Sequence, residues 1–192
     1  GTPHLGSVKA IKQLIYGECL TPLPVSLGPV CLGIIDSEVR DVVRNMISNF
    51  QLAPTQEYFK FYSNFDNKRP YPYKTEEVLN YAQTKDFLSS HGHNASLFGP
   101  SETFHSIDSK LSDANGVDVR VIAGSGQPTL GQIIEEKRVS LLGISYTYKD
   151  IVNINGDGTV PIFSASLNDP DRNISLLGNA KLYYTQQEHG DL

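Results

Sequence analysis

Residues 117–126, VDVRVIAGSG, mark the change from a helical to a β pattern that decides the fold class. Valine alternates with charged residues over positions 117–121, which is the pattern of a strand with one face in the core. Two further apolar residues lead into the turn Gly124-Ser125-Gly126, so the strand is expected to become fully buried at its end. A buried strand that ends in a glycine-rich turn is typical of the sheets of α/β proteins.

Upstream of this strand, apolar residues recur at helical spacing. The clearest pattern predicts a helix over residues 37–50, and shorter patterns predict helices over 8–15, from Thr75 onward and over 101–111. Residues 64–74 are too polar and too rich in proline for either regular element, which predicts a surface loop. The region therefore has the character of a mostly helical insertion.

Downstream, the pattern stays that of strands. Residues 139–148 alternate, residues 151–154 are predicted to return beside them as a short hairpin, and residues 180–185 form the last strand. Helices that precede strands, each strand ending in a glycine-rich or polar turn, predict the second half of an α/β sheet with a helical insertion.

Composition and charge limit the class of protein. The 192 residues include 16 basic and 21 acidic side chains, so the net charge of −5 argues against a nucleic-acid partner. Apolar runs are far shorter than the ~20 residues that cross a bilayer. Cys19 and Cys31 allow either one disulfide or two free thiols. The opening residues 1–16 resemble the end of a strand followed by a helix, so we expect the chain to be a fragment of a longer protein.

Asp157 is the first candidate for chemistry. It lies in the turn Asn155-Gly156-Asp157-Gly158-Thr159-Val160-Pro161, whose glycines allow a tight bend and whose proline suits the start of a helix. An aspartate that only bonds its own turn is one alternative. A calcium loop is another, but its twelfth position is Ser164 in place of the bidentate glutamate, which argues against it.

His189 is the second candidate, because it follows the last predicted strand directly. A solvated histidine near the end of the chain is the alternative. An aspartate after one late strand and a histidine after the next match the second half of the order Ser, Asp, His in α/β-hydrolases. In that arrangement the Asp157 carboxylate orients His189, which takes a proton from a nucleophilic oxygen.

The chain lacks the other parts of such a site. No serine has glycine both two residues before and two residues after it, and neither Cys19 nor Cys31 lies in a strand-turn-helix pattern. His91 and His93 are two closely spaced imidazoles, but no further ligand lies at metal-binding spacing, which favours a polar loop.

Four segments together resemble one family. GTPHLGSVKAIKQL, IAGSGQPT, NGDGTVP and EHGDL, in this order, are similar to the later half of the lecithin:cholesterol acyltransferase family of α/β-hydrolases. This family includes phospholipid:diacylglycerol acyltransferases and bacterial lipase-like members. Residues 51–59, QLAPTQEYF, resemble its cap as well.

The resemblance implies an α/β fold, namely the C-terminal part of an α/β-hydrolase sheet with a mostly helical cap. Residues 1–16 would be the end of a core strand and its helix, residues 17–115 the cap, and residues 116–192 the late core strands. Asp157 would be the catalytic acid and His189 the base. The substrate-binding residues that it implies lie in two loops and are Thr2, Pro3, His4, Leu5, Gly124 and Ser125.

The implied activity is that of a serine lipase or acyltransferase on lipid esters, with no cofactor and no metal. Its implied partners are a lipid or ester substrate, an upstream segment that carries the nucleophilic serine and the oxyanion loop, and a membrane surface touched by the cap. The chain alone should then be inactive. Two alternatives stay open: a non-catalytic module that binds lipid or protein, and a half-sheet whose open edge needs a missing part to cover it.

Overall fold

The structure is a computed structural model that mixes helices and strands, as predicted for an α/β chain. It describes residues 2–17, 23–25, 28–30, 36–61, 65–69, 75–108, 116–140, 143–170 and 172–191. Both cysteines, Cys19 and Cys31, lie outside these residues. The two alternatives of a disulfide and free thiols therefore concern residues that the structure does not describe.

The helices lie mainly in the first half of the chain. In chain order they are α1 Val8–Tyr16, α2 Asp36–Val43, α3 Ile47–Gln51, α4 Tyr58–Phe61, α5 Tyr81–Ser90, α6 Phe98–His105 and α7 Ile162–Ser166. Short 3-10 turns occur at Ala95–Leu97 and His189–Asp191. No helix within the described ranges is long and apolar enough to span a membrane.

The strands pair in four separate sheets within the described residues. In chain order they are β1 Leu23–Val25, β2 Gly28–Val30, β3 Phe65–Arg69, β4 Thr75–Val78, β5 Arg120–Gly124, β6 Gln127–Ser140, β7 Gly143–Gly156, β8 Asn168–Asp169, β9 Ile174–Ser175 and β10 Lys181–Thr185. The largest sheet has the order β4-β3-β6-β7, and β5 pairs with β10 in parallel.

Helix α1 forms where its apolar spacing predicts it. The Ser7 hydroxyl accepts a hydrogen bond from the Lys9 N–H at the start, and Gly17 ends the helix with a left-handed backbone. Its apolar face, made by Val8, Ile11, Leu14 and Ile15, is buried in the main core. Before it, residues 2–7 form a turn where the sequence predicted the end of a strand.

The predicted single helix over residues 37–50 is wrong. The chain forms α2 and α3 instead, with a turn at Arg44 and Asn45 and an extended backbone at Met46. The break reorients α3 so that Phe50 enters the core and the Asn49 amide donates to the Ala10 carbonyl oxygen at 3.1 Å. An unbroken helix would also have buried Val42 and Met46, both of which are exposed.

Three other predicted elements differ. Residues 75–78 form strand β4 in place of a helix start, and the helix begins later at α5, where Asn80 and Gln83 form a reciprocal capping box. The predicted loop at 64–74 contains β3, which pairs in parallel with β6. The predicted strand at 139–148 is divided between β6 and β7, whose long antiparallel hairpin pairs Ser140 with Gly143.

The parallel pair β5 and β10 positions the candidate site. The register aligns Arg120 with Lys181 and Gly124 with Thr185, so both strands end at the same level. Beyond β5 the chain makes the turn Ser125-Gly126 and enters the β6–β7 hairpin, which returns to the same edge at Gly156. The loops that follow β7 and β10 therefore meet.

Candidate active site

Asp157 lies in the tight turn directly after β7. Its side chain is almost fully buried, and its Oδ1 accepts hydrogen bonds from the backbone N–H groups of Thr159 at 3.0 Å and Val160 at 2.7 Å. The backbone closes the same turn, because the Asp157 N–H donates to the Val160 carbonyl oxygen at 3.2 Å. One carboxylate oxygen is thus held by the turn, and the other is available for a second partner.

These contacts keep Asp157 ionised. Burial alone would raise the pKa of this carboxyl, but the N–H groups of Val160 and Thr159 and the neighbouring His189 outweigh it and lower the pKa. At neutral pH the carboxylate therefore accepts hydrogen bonds and donates none.

His189 follows β10 and contacts Asp157 twice. Its ring Nδ1 lies 2.9 Å from Asp157 Oδ2, and its backbone N–H donates to the Asp157 carbonyl oxygen at 2.9 Å. Since the ionised carboxylate can only accept, Nδ1 donates this hydrogen bond, and in the neutral form of the ring the lone pair lies on Nε2. The side chain remains 39% exposed, so a buried acid holds a base that solvent can reach.

A groove of about 280 Å³ lies beside this pair. Its walls are formed by Asp157, His189 and six neighbours, which are Gln127, Pro128, Gly158, Thr159, Glu188 and Gly190. The groove thus combines an acid, an oriented base and the backbone of a glycine-containing turn, which is a suitable setting for proton transfer.

Two residues support the turn, Gly156 and Thr129, and only Gly156 was singled out in the sequence. The buried Thr129 hydroxyl of β6 accepts a hydrogen bond from the Gly158 N–H at 2.9 Å. A Cβ on Gly156 would collide with the Thr129 side chain and with the Val160 carbonyl oxygen. The turn glycine at position 156 can be recognised in the sequence. The contact of this turn with Thr129 depends on the register of the β6–β7 hairpin, and no local sequence pattern indicates it.

The other sequence-predicted site residues lie in two places. Gly124 and Ser125 are at the end of β5, where the Ser125 N–H donates to the Thr185 carbonyl oxygen at 2.8 Å and so ties β5 to β10. They are absent from the walls of the groove. Thr2 and Pro3 belong to the turn before α1 and are also outside the groove.

His4 and Leu5 line a different and larger cavity of about 490 Å³. There the His4 ring donates from Nδ1 to Asp108 Oδ1 at 3.0 Å, and the His105 ring donates from Nδ1 to Asp108 Oδ2 at 2.8 Å. The structure therefore brings together a second Asp–His pair that the sequence analysis missed. Residues 4 and 108 are far apart in sequence, so no local motif connects them.

The metal and calcium alternatives find no support in the described residues. No group of three or more His, Cys, Asp or Glu side chains in these ranges is arranged to hold a metal ion. The Asn155 side chain accepts a hydrogen bond from the Gly126 N–H at 2.7 Å, and Asp157 is bound to His189, so both are used within the fold. His93 is buried, and desolvation together with the nearby Arg44, His91 and Arg40 lowers its pKa to about 4.

Comparison with known proteins adds no family to this geometry. The chain matches no model of a known protein family and none of the curated proteins.

Proposed function

We propose that this chain carries the catalytic acid and base of a serine lipase or acyltransferase with an α/β-hydrolase fold and a mostly helical cap. Its substrates are lipid esters. The nucleophilic serine and the oxyanion loop are supplied by a segment outside the chain, as in the lecithin:cholesterol acyltransferase family that the sequence resembles.

The contact between Asp157 Oδ2 and His189 Nδ1 carries the proposal, because a buried carboxylate holds a solvent-accessible imidazole at 2.9 Å. The two residues follow β7 and β10 at one edge of the structure. The parallel pairing of β5 with β10 supports the base only, since His189 follows β10 whereas Asp157 follows β7, which pairs antiparallel with β6.

In the proposed reaction, His189 Nε2 takes the proton of the serine hydroxyl while the serine oxygen attacks the ester carbonyl carbon. The carbonyl electron pair moves to oxygen, where backbone N–H groups of the missing segment stabilise it. Collapse of this intermediate expels the alcohol, which takes the proton back from His189 and leaves an acyl-enzyme. Water or an acceptor alcohol then repeats the sequence, and Asp157 stabilises the imidazolium in both halves.

Active-site labelling tests where the nucleophile lies. We expect a fluorophosphonate to modify no serine of the isolated chain and to modify one serine of the longer polypeptide, at a position upstream of residue 1. Peptide mass spectrometry locates the label. A rapidly labelled serine within this chain would contradict the proposal.

Substitution of the acid and the base tests their roles. In the longer polypeptide, Asp157→Asn should lower esterase turnover by about 10⁴-fold and His189→Gln by about 10⁶-fold, because the catalysis that remains comes from the oxyanion hole and binding alone. Asp118→Asn and His91→Gln are matched controls outside the groove and should keep native turnover. Native turnover in Asp157→Asn or in His189→Gln would reject the assignment.

The larger cavity, which His4 and Leu5 line, favours a second candidate function, that of a non-catalytic lipid-binding module. In that case the longer polypeptide would bind lipid but would not react with the fluorophosphonate, and Asp157→Asn would leave every measured property except stability unchanged.

A further inference from the structure

The larger cavity is separate from the groove at Asp157 and His189, and the two share no lining residue. It lies where the turn at residues 2–7, the segment after Pro54 and the end of α6 meet. Its volume of about 490 Å³ falls in the range of about 300–1,000 Å³ that is usual for small-molecule sites. Leu5, Leu167 and Leu176 form its apolar wall.

The polar wall of this cavity is built by His4, Asp108 and His105. His105 donates from both ring nitrogens, to Asp108 Oδ2 at 2.8 Å and to the Gln51 carbonyl oxygen at 2.5 Å, so both bonds require an imidazolium. His4 donates from Nδ1 to Asp108, and no group in the described part of the chain bonds its Nε2. In the neutral ring this Nε2 is an acceptor for a ligand.

The charges on the wall argue against an anionic ligand. Three carboxylates line the cavity, those of Glu57, Glu102 and Asp108, whereas lysine and arginine are absent from its described lining. Each carboxylate already has a cationic partner: Lys60 at 2.7 Å, Lys85 at 2.8 Å and His105 at 2.8 Å. These pairs leave no uncompensated charge on the described wall, so a free anion would find no unpaired cation there and a cation would have to displace an existing partner.

We infer that this cavity binds a neutral amphiphile, a small molecule with an apolar body and a hydroxyl group. The hydroxyl donates its hydrogen bond to His4 Nε2, and the apolar body contacts Leu5, Leu167 and Leu176. Asp108 positions the His4 ring in the tautomer that accepts. The inference does not depend on ester chemistry at His189.

Three probes with the same octyl chain test the ligand class: 1-octanol, nonanoate and octyltrimethylammonium. Calorimetric titration of the chain at neutral pH should show that octanol binds about tenfold more tightly than either ion. Each ion would have to leave water for a wall that offers it no unpaired opposite charge. In NMR spectra, octanol should shift the ¹⁵N resonance of His4 Nε2. Equal or tighter binding of either ion, or an unchanged His4 resonance, would overturn the inference.

Substitutions test the location of the ligand. His4→Phe should weaken octanol binding by about tenfold, as expected for the loss of one buried hydrogen bond, and His4→Gln should restore part of it. Leu176→Trp fills the cavity without changing His4 and should abolish binding, which keeps the test valid if His4→Phe does not fold. His189→Gln is the control and should bind normally. Native affinity in Leu176→Trp would show that the ligand binds elsewhere.

Discussion

Asp157 and Asp108 each accept a hydrogen bond from the Nδ1 of a histidine, but their second oxygens have different partners. Asp157 Oδ1 accepts backbone N–H groups, whereas Asp108 shares its carboxylate between two imidazoles. The backbone cannot titrate, so the Asp157 pair is held at any pH at which its carboxylate is ionised. The Asp108 cluster depends in addition on the proton of His105.

His105 makes the attachment of α6 dependent on pH. Burial alone would lower the pKa of His105, but the bonds to Asp108 and to the Gln51 carbonyl outweigh it and raise the pKa above its ordinary value of about 6.5. The hydrogen bonds that raise this pKa stabilise the folded state fully at pH values below the pKa of histidine in the unfolded chain. Their contribution is lost as the pH rises through the pKa of His105 in the folded state.

We therefore predict that His105→Gln costs more stability at about pH 5 than at about pH 9, by about 1 kcal/mol for the one hydrogen bond that needs the second ring proton. Urea denaturation of the native chain and the variant at both pH values measures this difference. Asp108 has a lowered pKa because its two imidazole bonds outweigh its burial, so it stays ionised at both pH values. A cost that is the same at both values would show that His105 is not held as an imidazolium.

At the scale of the element, periodicity predicted α1 but failed for the helix over 37–50. In α1 each apolar residue of the repeat enters the core. In the second segment Val43 and Phe50 do so, but Val42 and Met46 do not, because the chain turns at Asn45. A helical repeat shows that apolar residues share a face, and only the tertiary packing decides whether the helix stays unbroken along that face.

The strands show the same limit. The alternation around Val121 predicted β5, but the expected full burial at the end of this strand is wrong, because Ile122 between the buried Val121 and Ala123 is 63% exposed. The β4 segment contains two glutamates that favour a helix, yet pairing with β3 makes it a strand. Pairing partners far apart in sequence, such as β3 and β6, leave no local signal.

The end of β7 yields a prediction at this scale. Gly156→Ala should destabilise the chain by about 1–3 kcal/mol, because the added Cβ would press on Thr129 and on the Val160 carbonyl. Since the Val160 N–H holds Asp157, the variant should also disturb the His189 Nδ1 proton, which NMR detects. Gly190→Ala is the control, because no atom lies within 4 Å of its Cβ. Native stability in Gly156→Ala would contradict the close packing of this turn.

At the scale of the whole molecule, the order of Asp157 and His189 along the chain was enough to predict that they meet. Each follows a strand. These strands, β7 and β10, belong to separate sheets, but both end beside the turn Ser125-Gly126, whose N–H groups bond Thr185 and Asn155. The contacts between the first residues and the loop after β7 were beyond prediction. They depend on single hydroxyl groups: Ser7 Oγ donates to the Thr159 carbonyl at 2.6 Å, and Ser164 Oγ donates to the Gly6 carbonyl at 2.6 Å.

Ser164 ties α7 to the turn at residues 2–7, because its hydroxyl donates to the Gly6 carbonyl and also accepts the Leu5 N–H at 3.2 Å. Ser164→Ala would leave the Leu5 N–H and the Gly6 carbonyl buried without this partner, at a cost of about 1–3 kcal/mol. We expect faster hydrogen exchange in the peptide that covers residues 2–7 and weaker octanol binding in the cavity that His4 lines.

Ser166→Ala is the matched control, since Ser166 is equally buried on α7 but bonds only the nearby Asn168 backbone. Its effect on hydrogen exchange should stay within α7 and β8. If Ser164→Ala leaves the exchange of residues 2–7 unchanged, the turn is held by its other backbone bonds, to Leu52 and Thr55, and the coupling through Ser164 is absent. If both variants loosen residues 2–7 equally, the effect comes from α7 as a whole and not from this hydroxyl.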